Sequence, residues 1–114
     1  MSYKLFLDDI REIKYIYPDA NLDEWILARS YDEFVKIIEE NGLPSFCSLD
    51  NDISSYNKDG NEMTGSDAAK FLVYYAFDND LDYNANYAVH SSNPAGRLNI
   101  ESHFETYKKI KKIY

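Results

Sequence analysis

Short apolar runs alternate with amphipathic stretches along the chain. "YKLFL" (3–7) is apolar apart from Lys4 and stops at Asp8 and Asp9, which reads as a buried strand. "WILA" (25–28) reads as a second strand. "SYDEFVKIIEENG" then carries a helix signature. Ser30 and Glu33 predict a capping box, and Phe34, Ile37 and Ile38 supply one apolar face. Gly42 follows the helix end, and Pro44 prevents its resumption. "FCSL" (46–49) is a third strand, again stopped by acids. The polar segment 51–63 holds the turn "NKDGN". Thr64 is placed to cap a helix from Gly65 to about Asp78, with Ala68, Phe71, Leu72, Tyr75 and Ala76 inward. "NYAV" (86–89) is a fourth strand. Asn93 caps a last helix with Pro94 at its first position, where a missing N–H is harmless. Ile100, Phe104, Tyr107, Ile110 and Tyr114 recur there at helical spacing and belong to a core. The connection 10–24, interrupted by Pro18, is either a single helical turn or a loop.

Strands alternating with helices imply parallel pairing through right-handed crossovers. The expected fold is α/β: a three-layer α/β/α arrangement on a four-stranded parallel sheet of order 2-1-3-4, wound like a flavodoxin. At 114 residues, the expectation is a single domain over 1–114.

Composition narrows the class. A hydrophobic share of 45% with 16% aromatic residues belongs to a folded chain. No apolar run approaches the roughly 20 residues of a membrane helix. "MSYKLFLDD" lacks the basic start and cleavage pattern of a signal peptide. The single Cys47 sits in an apolar stretch and reads as a quiet buried thiol. Together these point to a cytoplasmic protein. A net charge of −8 disfavours non-specific nucleic-acid binding, which needs an excess of cations, but leaves room for a small phosphate ligand held locally. The lysines of "KKIKKIY" end a helix, where they complement its dipole.

The candidate chemistry lies at the strand ends. Asp8 and Asp9 follow the first strand, Asp50 and Asp52 the third, and His90 and Ser91 the fourth. Ligands of open parallel sheets bind at that edge. With strand 1 beside strand 3, the acidic pairs meet and repel, and a hard divalent cation such as Mg²⁺ or Mn²⁺ relieves the repulsion. Each piece has a plainer reading. Asp-Asp after a strand makes a turn, "DND" makes an Asx-turn, and a lone histidine is often a core or rim group. Their joint occurrence at three strand ends favours a shared metal or phosphate site. Other chemistries fail. An EF-hand reading around Gly60 would put Ser55 and Ser66 where acids are required. Zinc-ligand spacing and phosphate-binding glycine fingerprints are missing.

"LFLDDIR", "SLDNDI", "TGSDAAKFL" and "VHSSNPAG", in that order, resemble the motifs of the cyclic-phosphate processing receiver-like domain family, a shortened relative of two-component receivers. The resemblance spans about residues 3–107. It implies a divalent-metal site at Asp8, Asp9 and Asp50 and action on cyclic phosphates such as cyclic nucleotides or RNA 2′,3′-cyclic ends. His90, Asn93 and Asp67 match family positions. Two departures stand out: family members commonly carry His where this chain has Asn51, and the loop 54–63 is longer than usual. Phosphorelay is disfavoured, because no lysine-bearing fifth strand follows.

On that basis the expected function is metal-dependent hydrolysis of a cyclic phosphate. His90 would be general acid, Asp52 would orient water, and Ser91, Ser92 and Asn93 would present hydroxyls, an amide and a helix start to the phosphate. The alternative is a non-catalytic receiver-like module that binds a cyclic nucleotide or a protein partner through the same residues.

Overall fold

The computed structural model describes residues 2–113; Tyr114, the last position of the terminal helical repeat, lies outside them. In chain order the elements are β1 (Lys4–Leu7), α1 (Ile13–Ile16), a 3₁₀ turn (Leu22–Glu24), β2 (Trp25–Ala28), α2 (Tyr31–Asn41) and β3 (Phe46–Leu49). A short hairpin follows, β4 (Ser55–Tyr56) and β5 (Glu62–Met63), and then α3 (Gly65–Asn79), β6 (Tyr87–Val89) and α4 (Pro94–Ile113).

The main sheet is four-stranded and wholly parallel, in the order β2-β1-β3-β6. This is the expected winding, with β6 as the fourth strand of the sequence pattern. Register aligns Leu7 with Ala28 and with Leu49, and Leu49 with Val89. The residues that follow these four, Asp8, Arg29, Asp50 and His90, therefore emerge side by side at the carboxyl edge. The ladder runs on into that row: the N–H groups of Asp8, Asp50 and His90 donate to the carbonyls of Ala28, Leu7 and Leu49 at 3.0–3.1 Å.

Strand side chains alternate between the two faces. Leu5, Leu7, Cys47 and Leu49 point into one face, buried with Phe34 and Ile38 of α2, Ala68 and Leu72 of α3, and Ile100, Phe104 and Tyr107 of α4. Each fully buried leucine there contributes roughly 1.5–3 kcal/mol relative to exposure. Burial also pushes the Cys47 thiol up to about 12, so it stays protonated and inert. Phe6 and Ser48 point to the other face, whose cover is thin: α1 is a single turn, and Tyr17, Trp25 and Phe46 stack and edge-pack around Phe6. The connection 10–24 thus resolves into one helical turn plus a 3₁₀ turn.

Two local expectations change. Ser30 accepts from the Glu33 N–H at 3.1 Å, but the Glu33 carboxylate reaches past Ser30 to the N–H of Arg29 at 2.6 Å, so only half a capping box forms. Thr64 and Asp67 make the complete box instead, at the head of α3. The segment 51–63 pairs as a hairpin because Asn57 organises its turn, its Oδ1 accepting from Asp59 and Asn61. Two-residue strands leave no alternation for a sequence pattern to reveal.

Candidate functional site

Asp8 is fully buried, and its two oxygens have different tasks. Oδ1 accepts from the backbone N–H groups of Ile10 and Arg11 at 3.0 and 2.8 Å, which closes the turn after β1. Oδ2 faces Arg11 Nη1 at 3.3 Å and His90 Nε2 at 3.1 Å. Burial alone would raise the Asp8 pKa. The backbone donors of Arg11 and Ile10, together with His90, outweigh it and hold Asp8 below its ordinary value.

Asp50 is 7% exposed. Its Oδ1 accepts from the Asn51 N–H at 2.8 Å, and its Oδ2 lies 3.7 Å from Arg11 Nη1. Burial and the neighbouring Asp8 charge push its pKa up. Asp8, Asp9 and Asp50 each bring one carboxylate oxygen within 4.8 Å of the other two. Asp52 stands apart from this trio. It is exposed, and Nδ2 of Asn93 holds it at 3.3–3.4 Å, with Asn51 Nδ2 at 3.4 Å.

His90 is closed in. Its side chain is 4% exposed and stacks on Phe6 with centroids 4.6 Å apart and planes nearly parallel. Nε2 faces Asp8, while Nδ1 meets Ser48 Oγ at 2.7 Å, and Ser48 Oγ meets the Tyr17 hydroxyl at 2.8 Å. Burial lowers the His90 pKa despite the Asp8 charge, so the ring is neutral near pH 7. The direction of the whole chain follows. The Asp8 carboxylate only accepts, so Nε2 carries the hydrogen; Nδ1 must then accept from Ser48, and Ser48 in turn must accept from Tyr17. Both ring nitrogens are occupied, unlike those of an open proton donor.

The loop after β6 is equally committed. Ser91 is buried and its Oγ accepts from the Asn93 N–H. Asn93 Oδ1 caps α4 at the Gly96 N–H, at 3.0 Å. Ser92 is exposed. Asn51 fills the space between two helix starts. Its backbone carbonyl accepts from Gly65 and its Oδ1 from Ser66, and a Cβ on Gly96 would come within 2.5 Å of its amide. A Cβ on Gly65 would overlap the Asp50 carbonyl, which is why α3 must start with glycine there.

Sequence reasoning missed the arginines. Arg11 lies between Asp8 and Asp50. Arg29 Nη1 donates to the backbone carbonyls of Asp8 (3.3 Å) and Arg11 (2.7 Å), and Arg97 Nη1 to those of Val89 and Ser91. Arg11 and Arg29 follow strand ends closely, and that proximity was the available signal. Ser48 and Tyr17 were hidden among apolar neighbours.

Residues 3–106 match the cyclic-phosphate processing receiver domain family. No curated protein matches the chain. A solved structure of the yeast Spc42 trimeric coiled coil (amino acids 181–211), fused to a second component, is similar at a TM-score of 0.56 and 13% identity, over 97% of this chain and 77% of that one. At that identity the likeness speaks for the fold alone.

Proposed function

The chain belongs to the cyclic-phosphate processing receiver domain family, and from that premise we propose that it hydrolyses a cyclic phosphate on a nucleotide or RNA end with one Mg²⁺ or Mn²⁺ held by Asp8, Asp9 and Asp50. The observation that carries this reading is the convergence of those three carboxylates within 4.8 Å at the carboxyl edge of the sheet. The donor set fits: every ligand is a hard oxygen, and burial with the Asp8 charge already disfavours an ionised Asp50 standing without a cation. When bound, such an ion supplies Lewis acidity to a phosphoryl oxygen and acidifies water.

The protein's own groups divide the remaining work. Backbone donors lock Oδ1 of Asp8, leaving Oδ2 as its ligand atom. His90 donates to that Oδ2, and Ser48 and Tyr17 fix its tautomer, so we assign His90 to positioning Asp8. Service as general acid would require His90 to leave Asp8 and its stack on Phe6. Asp52, exposed and oriented by Asn93, is the group available to align an attacking water. Ser91 and Asn93 hold the loop, and Ser92 with the start of α4 faces the phosphate.

One observation favours the non-catalytic alternative. His90 is closed in and Asn51 stands at the family's usual histidine position, so neither offers a free imidazole. Calorimetric titration with 2′,3′- and 3′,5′-cyclic nucleotides, with Mn²⁺ or with EDTA, tests the shared premise. Binding that requires Mn²⁺ is expected; binding undiminished by EDTA refutes the metal's role.

A further inference from the structure

Resting on the metal reading above, we infer that Arg11 is an internal counter-ion of the acidic trio, and that a divalent ion enters by exchange with its guanidinium. A single nitrogen, Nη1, faces the second oxygens of two buried carboxylates at once: Asp8 Oδ2 at 3.3 Å and Asp50 Oδ2 at 3.7 Å. These are the atoms left over after backbone donors have claimed each Oδ1. The guanidinium thus stands where a shared cation would stand.

Its hold is loose. Charge-assisted N–H···O bonds close to about 2.7–2.9 Å, and both contacts here are longer. A doubly charged ion at about 2.1 Å exerts roughly three times the attraction on each oxygen that a single charge does at these distances. The Arg11 side chain is about one-third exposed, so it can leave toward solvent. The backbone need not follow, because Arg29 separately pins the carbonyls of Asp8 and Arg11. Arg11 therefore keeps Asp8 and Asp50 together without metal and sets a threshold concentration for metal entry. Once displaced, its charge remains at the rim, where an incoming phosphate is its natural partner.

The test is the Mn²⁺ affinity of the full chain, read from the electron paramagnetic resonance of free Mn²⁺, for wild type, Arg11→Gln and Arg11→Lys. Exchange predicts that Arg11→Gln binds about tenfold tighter or more, with Arg11→Lys near wild type. Wild type binding with Arg11→Gln equal or weaker overturns the exchange and leaves the metal reading intact. Absence of binding in all three overturns both. Melting curves cover the chance that Arg11→Gln folds poorly. In EDTA it is expected to melt below wild type, and Mn²⁺ should raise its midpoint by more than it raises the wild type's. Equal midpoints in EDTA and equal Mn²⁺ responses overturn the counter-ion role.

Discussion

Replacing Asp50 with asparagine should stabilise the metal-free protein while abolishing its metal binding. Asparagine keeps the shape of the side chain and an acceptor for the Asn51 N–H, so the change is mainly one of charge. At an effective dielectric of about 20, unit charges no more than 4.8 Å apart interact by about 3.5 kcal/mol or more, giving about 7 kcal/mol of repulsion from Asp8 and Asp9 together. Arg11 at 3.7 Å returns about 4.5 kcal/mol of attraction. The net repulsion is about 2.5 kcal/mol, and solvent screening on the open side brings the expected gain to about 1 kcal/mol. Because the folded pKa of Asp50 is raised, its contribution to stability is fully present below its unfolded value of 3.8 and is lost as pH rises through the folded value. The advantage of Asp50→Asn should therefore be full at pH 7 and vanish near pH 3. Urea denaturation in EDTA at both pH values measures it, and a repeat with Mn²⁺ should stabilise wild type alone. A variant less stable than wild type at pH 7 in EDTA would refute the reasoning, since it would mean that the contacts of Asp50 outweigh the repulsion.

Three further substitutions probe the supports of the site. Ser48→Ala removes the donor to His90 Nδ1 in a nearly closed space, and should cost about 1–3 kcal/mol in urea denaturation. It should also disturb the single imidazole tautomer seen by ¹⁵N NMR; an unchanged ring spectrum would sink the directional chain from Tyr17 to Asp8. Gly65→Ala forces the start of α3 away from the Asp50 carbonyl, with an expected loss of about 2 kcal/mol or more and weaker Mn²⁺ binding. Wild-type stability would show that the helix start can shift freely. Asn51→His introduces an imidazole, but the larger ring must displace the first turn of α4 at Gly96, so a loss of about 1–3 kcal/mol is expected in thermal or urea melts. A variant as stable as wild type would show that the space admits an imidazole.

The strands and long helices were legible because burial imposes periodicity: "YKLFL", "FCSL" and the Ser30 and Thr64 starts each announce themselves within a few residues. The strand order followed from winding rules, and with it the expected meeting of the two acidic pairs, of which Asp8, Asp9 and Asp50 come together while Asp52 stands apart. The rest required three dimensions. That His90 turns inward depends on Phe6 and Ser48, two strands and one strand away, and no local pattern encodes that stack. Arg11 and Arg29 lie within a few residues of strand ends, yet their partners are set by side-chain reach rather than by spacing. Asn51 looked like the loss of a chemical group. Its packing against Gly65 and Gly96 gives it a structural occupation that the isolated motif could not reveal.

The most direct test of the central claim is turnover followed by ³¹P NMR. Purified wild type is incubated with 2′,3′- and 3′,5′-cyclic nucleotides and a cyclic-ended RNA, in Mn²⁺, in Mg²⁺ and in EDTA, beside Asp50→Asn. The account predicts conversion of one cyclic phosphate to a monoester, dependent on the metal and absent from the variant. Conversion that persists in EDTA or in Asp50→Asn, or no conversion of any substrate with metal present, would contradict it.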